Sequence, residues 1–358
     1  MQEGIFSSKE AAEVVLLLSM PIHYQSLVVE CTTRCNARCA ICYQEAGPKG
    51  SDGMGEARMD TKLIKRCIRE ASIIETIGPR FHIAGGECFL YPDDTYEILK
   101  TAKEAGFSII TTTTNAFWAA SPEKAREVCG YLRESGLFSM EVSWDYWHRE
   151  YVPAEAINNC LLACKEAEIE TTLRLLTTKN HGMDEAVSFL SPEAAQSASR
   201  ITSGPVFATG RAKANLDKDE FYYSRAPLQS SCHSMLNLTI NALGDVSPCC
   251  AGFDHSGQYR IGNVADEPLE TIVARINGDP IMRRLVFSGP SVFLPMLEEA
   301  GYPLGEDFYG ICHLCYSIFS NAEYTEAISR AFERRKREAL ISAADRLEAL
   351  ERLGKEAV

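Results

Sequence analysis

From residue 26 to about residue 203 the chain repeats one rhythm: a short run of β-branched and apolar residues, a turn, then a stretch whose apolar residues recur every three to four positions. The short runs read as strands and the longer periodic stretches as amphipathic helices, so each repeat is a βα unit. The strand runs are residues 26–30, 80–84, 108–113, 137–143, 170–176 and 200–203. A helical crossover returns the chain to the end it left, so these strands run parallel. The expected fold is α/β: a partial (β/α)6 TIM-like barrel whose ligand-binding loops stand at the carboxyl ends of the strands.

The rhythm stops near Gly204, and a polar stretch leads into a region dense in Cys, Gly and Pro. Residues 321–355, rich in Ala, Glu, Arg and Leu and free of Pro, predict one long helix. The resulting division is a helical N-terminal extension at 1–25, the barrel at 26–215, a small cysteine-bearing domain at 216–320 and a C-terminal helix at 321–358. The apolar run at 14–20 is too short for a bilayer and follows Lys9, Glu10 and Glu13 rather than a basic signal region. A cytoplasmic protein without a membrane partner is expected. With 36 Lys and Arg against 49 Asp and Glu, a net charge of −13 repels a phosphate backbone, and nucleic acid is not an expected partner. In a reducing compartment, 14 cysteines point to thiolate chemistry or metal ligation rather than disulfides.

Cys35, Cys39 and Cys42 follow the first strand with C-x3-C-x2-C spacing. Three thiolates so placed can hold three irons of a 4Fe-4S cube and leave the fourth open, whereas Cys31 as a fourth ligand would close a tetrahedral zinc site. The second strand run is followed by Gly85, Gly86 and Glu87, whose glycines allow close backbone approach and whose carboxylate can accept from an ammonium group. In this order the two motifs resemble those of the radical S-adenosylmethionine (SAM) superfamily. The resemblance implies that SAM chelates the open iron through its amino and carboxylate groups, with Gly85, Gly86 and Glu87 against its methionine. Ile41 stands where an aromatic residue is usual, leaving its backbone or Tyr43 for adenine packing. Asn115, Ser143, Asp145 and Arg174, at later strand ends, become SAM contacts by analogy, Ser143 and Arg174 for the ribose and carboxylate; each also suits a cap or a surface position.

Further on, Cys232 and Cys249 flank a stretch in which residues 241–245 read as a tight hairpin turn, and Cys312 and Cys315 form a later C-x2-C pair. These four thiolates suit a zinc site or a second 4Fe-4S cluster. Their arrangement resembles the auxiliary-cluster extension called SPASM or, in its short form, twitch; too few cysteines follow Cys250 for two clusters, which favours the twitch form and one auxiliary cluster. In extended backbone, neighbouring side chains point oppositely, so Cys250 turns away from a cluster held by Cys249, or packs as a small hydrophobe.

The blocks GGECFL (85–90), NAFW (115–118), SWDYWH (143–148), PCC (248–250) and ICHLCYSIFSNAE (311–323) resemble the radical SAM epimerases that convert L- to D-residues in ribosomally made epipeptides. That resemblance implies a 5'-deoxyadenosyl radical that takes a substrate hydrogen, Cys250 as the donor that returns one from the opposite face, and a flavodoxin- or ferredoxin-type electron donor. Two departures from the subgroup are a spacing from Cys232 to Cys249 one residue longer, and Leu236 and Asn237 where an acidic substrate-binding residue is expected. Only about 25 residues precede the first strand. Alternatives are epimerisation or dehydrogenation of a small molecule such as an aminoglycoside sugar, thioether or carbon-carbon cross-linking in a peptide, and a non-enzymatic electron-transfer or zinc-binding module.

The remaining features read as scaffold. Cys67, Cys88, Cys129, Cys160 and Cys164 read as buried small hydrophobes, and His82, His148, His233, His255 and His313 as core or surface histidines. Trp144, Tyr146 and Trp147 line the cleft or simply pack. The basic segment at 330–337 reads as a solvated face.

Overall fold

The computed structural model describes residues 20–222, 236–249, 261–305 and 308–356. Cys232, Cys250, His233, His255 and residues 1–19 of the expected N-terminal extension lie outside the described residues.

All six expected strands form. In chain order the barrel runs β1 (Tyr24–Glu30), α1 (Thr61–Ala71), β2 (Ile77–Ala84), α2 (Pro92–Glu104), β3 (Ile109–Thr114), α3 (Pro122–Glu134), β4 (Ser139–Ser143), α4 (Ala154–Glu166), β5 (Glu170–Thr177), two short helices α5 (Met183–Val187) and α6 (Pro192–Ser197), β6 (Arg200–Pro205) and α7 (Gly210–Asn215). The remainder comprises β7 (Asn237–Ile240), β8 (Asp245–Ser247), β9 (Gly262–Asn263), α8 (Leu269–Gly278), α9 (Pro280–Ser288), α10 (Leu294–Glu299), α11 (Ile311–Phe319) and α12 (Ala322–Glu356). The sequence places the helix starts: Asp60 caps α1 by accepting from the Lys62 and Leu63 amides, and Ser121 followed by Pro122 opens α3.

The nine strands form one sheet in the order β6-β5-β4-β3-β2-β1-β7-β8-β9, and neighbours from β6 through β1 are parallel. β7 lies parallel to β1, pairing Ser26 with Asn237 and Val29 with Ile240, so the sheet continues across the boundary expected near residue 216. The expected hairpin turn joins β7 to antiparallel β8, with Gly244 at φ 86° and the Asn241 side chain accepting from the Leu243 and Asp245 amides.

The two faces of the barrel strands differ in chemistry. Leu27, Val29, Phe81, Ile83, Ile110, Met140, Val142, Leu173 and Leu175 are buried in the main core beneath the helices. That core takes Ile64, Cys67, Ile68 and Ala71 of α1, whose i, i+3, i+4, i+7 spacing makes one apolar stripe. The alternate positions, Ser26, Glu30, His82, Thr111, Thr113, Glu141, Arg174 and Thr202, form a polar inner face. There the Ser26 hydroxyl donates to Asn237 at 2.6 Å, and the His82 ring bonds the Thr111 and Thr113 hydroxyls at 2.7 and 3.1 Å. Burial lowers the His82 pKa to about 4, so the ring is neutral at pH 7.

The α12 helix runs as one element from residue 322, and Arg334 and Arg335 bond Glu299 of α10 at 3.0 and 3.3 Å, in keeping with a solvated face. Among the described residues no helix is long and apolar enough to cross a membrane.

Candidate active site

The loop after β1 carries Cys35, Cys39 and Cys42 into an apolar pocket with Ile41, Ala46, Trp147, Val206, Ala208 and Phe221. Cys31 instead packs in the main core, which separates it from the triad. Burial pushes the Cys31 thiol up to about 12 and also raises Cys35 and Cys42, so these thiols stay protonated until a metal displaces the proton. Among the described residues no three His, Cys, Asp or Glu side chains converge as the ligands of a single ion would.

The motif after β2 holds this loop in place. A Cβ on Gly85 would stand 2.9 Å from the Thr32 carbonyl, and one on Gly86 would collide with the Arg34 carbonyl. The Gly86 and Glu87 amides donate to the Thr32 and Arg34 carbonyls at 2.6 and 2.8 Å. The close approach expected of the glycines is therefore made to the cysteine loop's own backbone. Glu87 is 1% exposed and accepts from the Phe89 amide, the Thr114 hydroxyl and the Asn115 amide at 3.1, 3.0 and 2.8 Å. Burial lifts its carboxyl to about 7 in spite of these donors. Asn115, thus fixed at the end of β3, donates to Asn36 at 2.9 Å and reaches the Cys35 sulfur at 3.7 Å.

Ser143, the last residue of β4, and Arg174, in the middle of β5 rather than at the strand end expected for it, are half-buried register partners. Tyr43 bonds Glu30 of the inner face at 3.0 Å. Asp145 is 1% exposed and its oxygen is engaged by the Trp147 amide and, at 2.7 Å, by His148 Nδ1. His148, expected as scaffold, stands beside Cys39; burial pulls its pKa down, but Asp145 and Cys39 outweigh that and hold it well above the ordinary value. Of the three loop aromatics, Trp144 packs in the core with its Nε1 donating to the Ala186 carbonyl at 3.0 Å, Trp147 enters the cysteine pocket, and Tyr146 stacks exposed on His181.

At the other end of β1, β8 runs back towards the level of Ser26, and buried Cys249 follows two residues beyond its end. Cys312 and Cys315 lie half-buried in the first turns of α11, where i, i+3 spacing puts them on one face, and Cys315 packs against the same core as Cys249.

Residues 29–190 match the radical SAM superfamily. This chain carries a radical SAM domain. Residues 232–288 match SPASM, an iron-sulfur cluster-binding domain; Cys312 and Cys315 lie beyond that stretch. A Bacillus subtilis (strain 168) protein named for peptide biosynthesis, YydG, is 24% identical over 316 residues, covering 84% of this chain and 94% of its own. The fold is similar to native anSMEcpe with bound AdoMet, at TM-score 0.54 and 13% identity over 86% of this chain and 97% of that one. It is also similar to anSMEcpe with bound AdoMet and the Cp18Cys peptide, at TM-score 0.50 and 11% identity, covering 91% and 100%.

A radical SAM domain implies SAM and a 4Fe-4S cluster, and a SPASM domain implies auxiliary iron-sulfur binding. The chemistry of the loop fits: three soft donors share one apolar cluster, and Cys31 belongs to the main core instead. Two residues of the radical SAM enzyme's site had no signal in its sequence. Arg211 of α7 is 4% exposed and donates to the Cys39 carbonyl at 2.8 Å, to the Ala46 carbonyl and to Asp52 at 2.8 Å. Asp52 is the other.

Proposed function

We propose that this radical SAM enzyme epimerises residues of a ribosomally made peptide from L to D, with Cys250 as the hydrogen-atom donor. When bound, the first cluster and SAM supply a 5'-deoxyadenosyl radical that takes a hydrogen atom from the substrate carbon. In this reading Cys35, Cys39 and Cys42 ligate that cluster, while Ser143, Arg174 and Tyr43 hold SAM against it. Glu87 and Asp145 keep the strand ends and the loop in place. Cys232, Cys249, Cys312 and Cys315 ligate one auxiliary cluster.

One arrangement carries the reading. The first cysteine loop leaves the carboxyl end of β1, and Cys249 follows a strand, β8, that returns towards its amino end. Inversion needs a hydrogen removed from one face of a carbon and returned from the other, which two reactive centres towards opposite ends of β1 allow. The peptide class is supported by the similarity to YydG. Cys250 gives its S–H hydrogen to the substrate radical, and an electron reaching it through Cys249, with a proton from solvent, restores the thiol. An external one-electron donor closes the balance.

The test is an anaerobic reaction in deuterated water with reconstituted enzyme, SAM, reductant and a short peptide encoded beside the gene. Epimerisation through an exchangeable thiol adds about one dalton per inverted residue. A loss of about two daltons would mean oxidation or cross-linking and would remove Cys250 from this role. The Cys250→Ala variant is expected to keep both clusters and to cleave SAM while producing no inverted residue; loss of its auxiliary cluster would sink the assignment.

A further inference from the structure

The barrel is open. β6 is an edge strand, and four strands separate it from β1 in the sheet, so among the described residues no strand pairing holds the loop after β1 to the segment after β6. Yet the two segments meet at the cysteines. Gly210, at φ 50°, lies so close to Cys42 and Tyr43 that a Cβ there would collide with the Tyr43 carbonyl. The Arg211 amide donates to the Cys42 carbonyl at 3.1 Å, and Asn215 Nδ2 to the Ala40 carbonyl at 3.2 Å. The Arg211 guanidinium uses all three nitrogens: Nη1 to the Cys39 carbonyl at 2.8 Å, Nη2 to the Ala46 carbonyl, and Nε to Asp52 at 2.8 Å. Asp52 in turn accepts from Arg38 at 2.9 Å.

We propose that Arg211, with Asp52 as its counter-charge, is a positioning residue that latches the cysteine loop across the open edge of the barrel. The latch sets where Cys35, Cys39 and Cys42 stand relative to the ends of β4 and β5.

The planar fork is what the geometry uses, because two diverging carbonyls and a carboxylate are met from three separate nitrogens, a span that the single nitrogen of an ammonium does not offer. A buried guanidinium is costly, and Asp52 with the loop carbonyls offsets that cost. Burial pulls the Asp52 carboxyl up, but the bonds from Arg211 and Arg38 outweigh it and hold it below its ordinary value. The latch also acts on the sulfurs. Arg211 holds the carbonyls of Cys39 and Ala46 through its guanidinium and that of Cys42 through its amide, so its charge stands against the loop that carries the sulfurs. Hydrogen bonds and positive charge near the sulfurs stabilise the reduced, more negative cluster, so the latch raises its potential.

This inference rests on the reading of the triad as cluster ligands, and the test separates the two. Hydrogen exchange of residues 38–52 is measured in cluster-free wild type and in Arg211→Gln, Arg211→Lys and Asp52→Asn. The reconstituted proteins are then assayed for loss of iron to a chelator and for the midpoint potential of the SAM-binding cluster. Arg211→Gln is expected to speed loop exchange and iron loss by at least about tenfold, the size of a lost charged hydrogen bond, and to lower the potential. Arg211→Lys restores the potential in part but not the exchange protection. Asp52→Asn, at a less buried carboxylate, shifts all three the same way by less and serves if Arg211→Gln does not fold. Wild-type exchange and potential in Arg211→Gln, or in Asp52→Asn if that variant stands in, overturn the latch. A wild type that assembles no cluster overturns the ligand reading, while the exchange data still judge the latch.

Discussion

Replacing Glu87 by Gln tests whether this carboxyl is a strut. Its two oxygens accept from two backbone amides, of Phe89 and Asn115, and from the Thr114 hydroxyl. A glutamine offers one acceptor oxygen, so its NH2 faces one of those amides donor to donor. Leaving a buried donor unmet costs about 1–3 kcal/mol. A second effect has the opposite sign. Burial raises the Glu87 pKa from 4.5 to about 7, so the folded chain binds the proton more tightly than the unfolded one, and this group's contribution to stability falls as pH rises from 4.5 to 7. Between pH 5 and 8.5 the wild type loses roughly 2–3 kcal/mol from this group, and the glutamine variant does not. Glu87→Gln of the cluster-free protein is therefore expected to be less stable than wild type at pH 5 and to close that gap by pH 8.5. Denaturant unfolding at the two pH values measures it, with wild type minus variant cancelling the other titrating groups. A gap that stays constant with pH would show that Glu87 is ionised throughout and refute the burial argument; no gap at either pH would refute the strut.

Two further outcomes follow from the same loop. Gly86→Ala puts a methyl into the Arg34 carbonyl and 3.0 Å from the Ala46 Cβ; it should cost about 1–3 kcal/mol in unfolding free energy and reduce iron uptake, and full uptake would show that the loop can shift. His148→Leu removes the Asp145-bound imidazole beside Cys39 while leaving Asp145 its backbone donors, so iron retention against a chelator should fall about ten- to hundredfold at unchanged secondary structure by circular dichroism. Unaltered retention would return His148 to the scaffold.

The barrel was legible because periodicity is a local property: residues 80–84 and 170–176 show their strands within a single window, and the structure only lengthens them to Ile77–Ala84 and Glu170–Thr177. The cysteine loop was legible for the same reason, its three thiols lying within eight positions. What could not be read depends on contacts between distant segments. Arg211 meets Asp52 across 159 positions, and nothing near either residue marks the partner. His148 showed no ligand spacing because its partners are Asp145, which read as a cofactor contact, and Cys39 on another loop. The glycines after β2 were recognised, but the neighbour they admit is a carbonyl of the chain itself.

The inner face of the strands bears on function in a way that single motifs do not. Parallel strands covered on both faces usually read as continuous apolar runs, because both faces are packed. Here the helix-covered face of the strands is apolar, and the other face, though it includes Val28, Ala84 and Leu176, carries Glu30, His82, Thr111, Glu141 and Arg174, with the Thr202 hydroxyl buried and unpartnered among the described groups. Burying polar groups costs stability unless each finds a partner, so a chain selected for stability alone would fill this space with Leu and Val. Keeping it polar is reasonable if the space receives a polar guest, and a peptide backbone, with a donor and an acceptor at every residue, has the chemistry of such a guest.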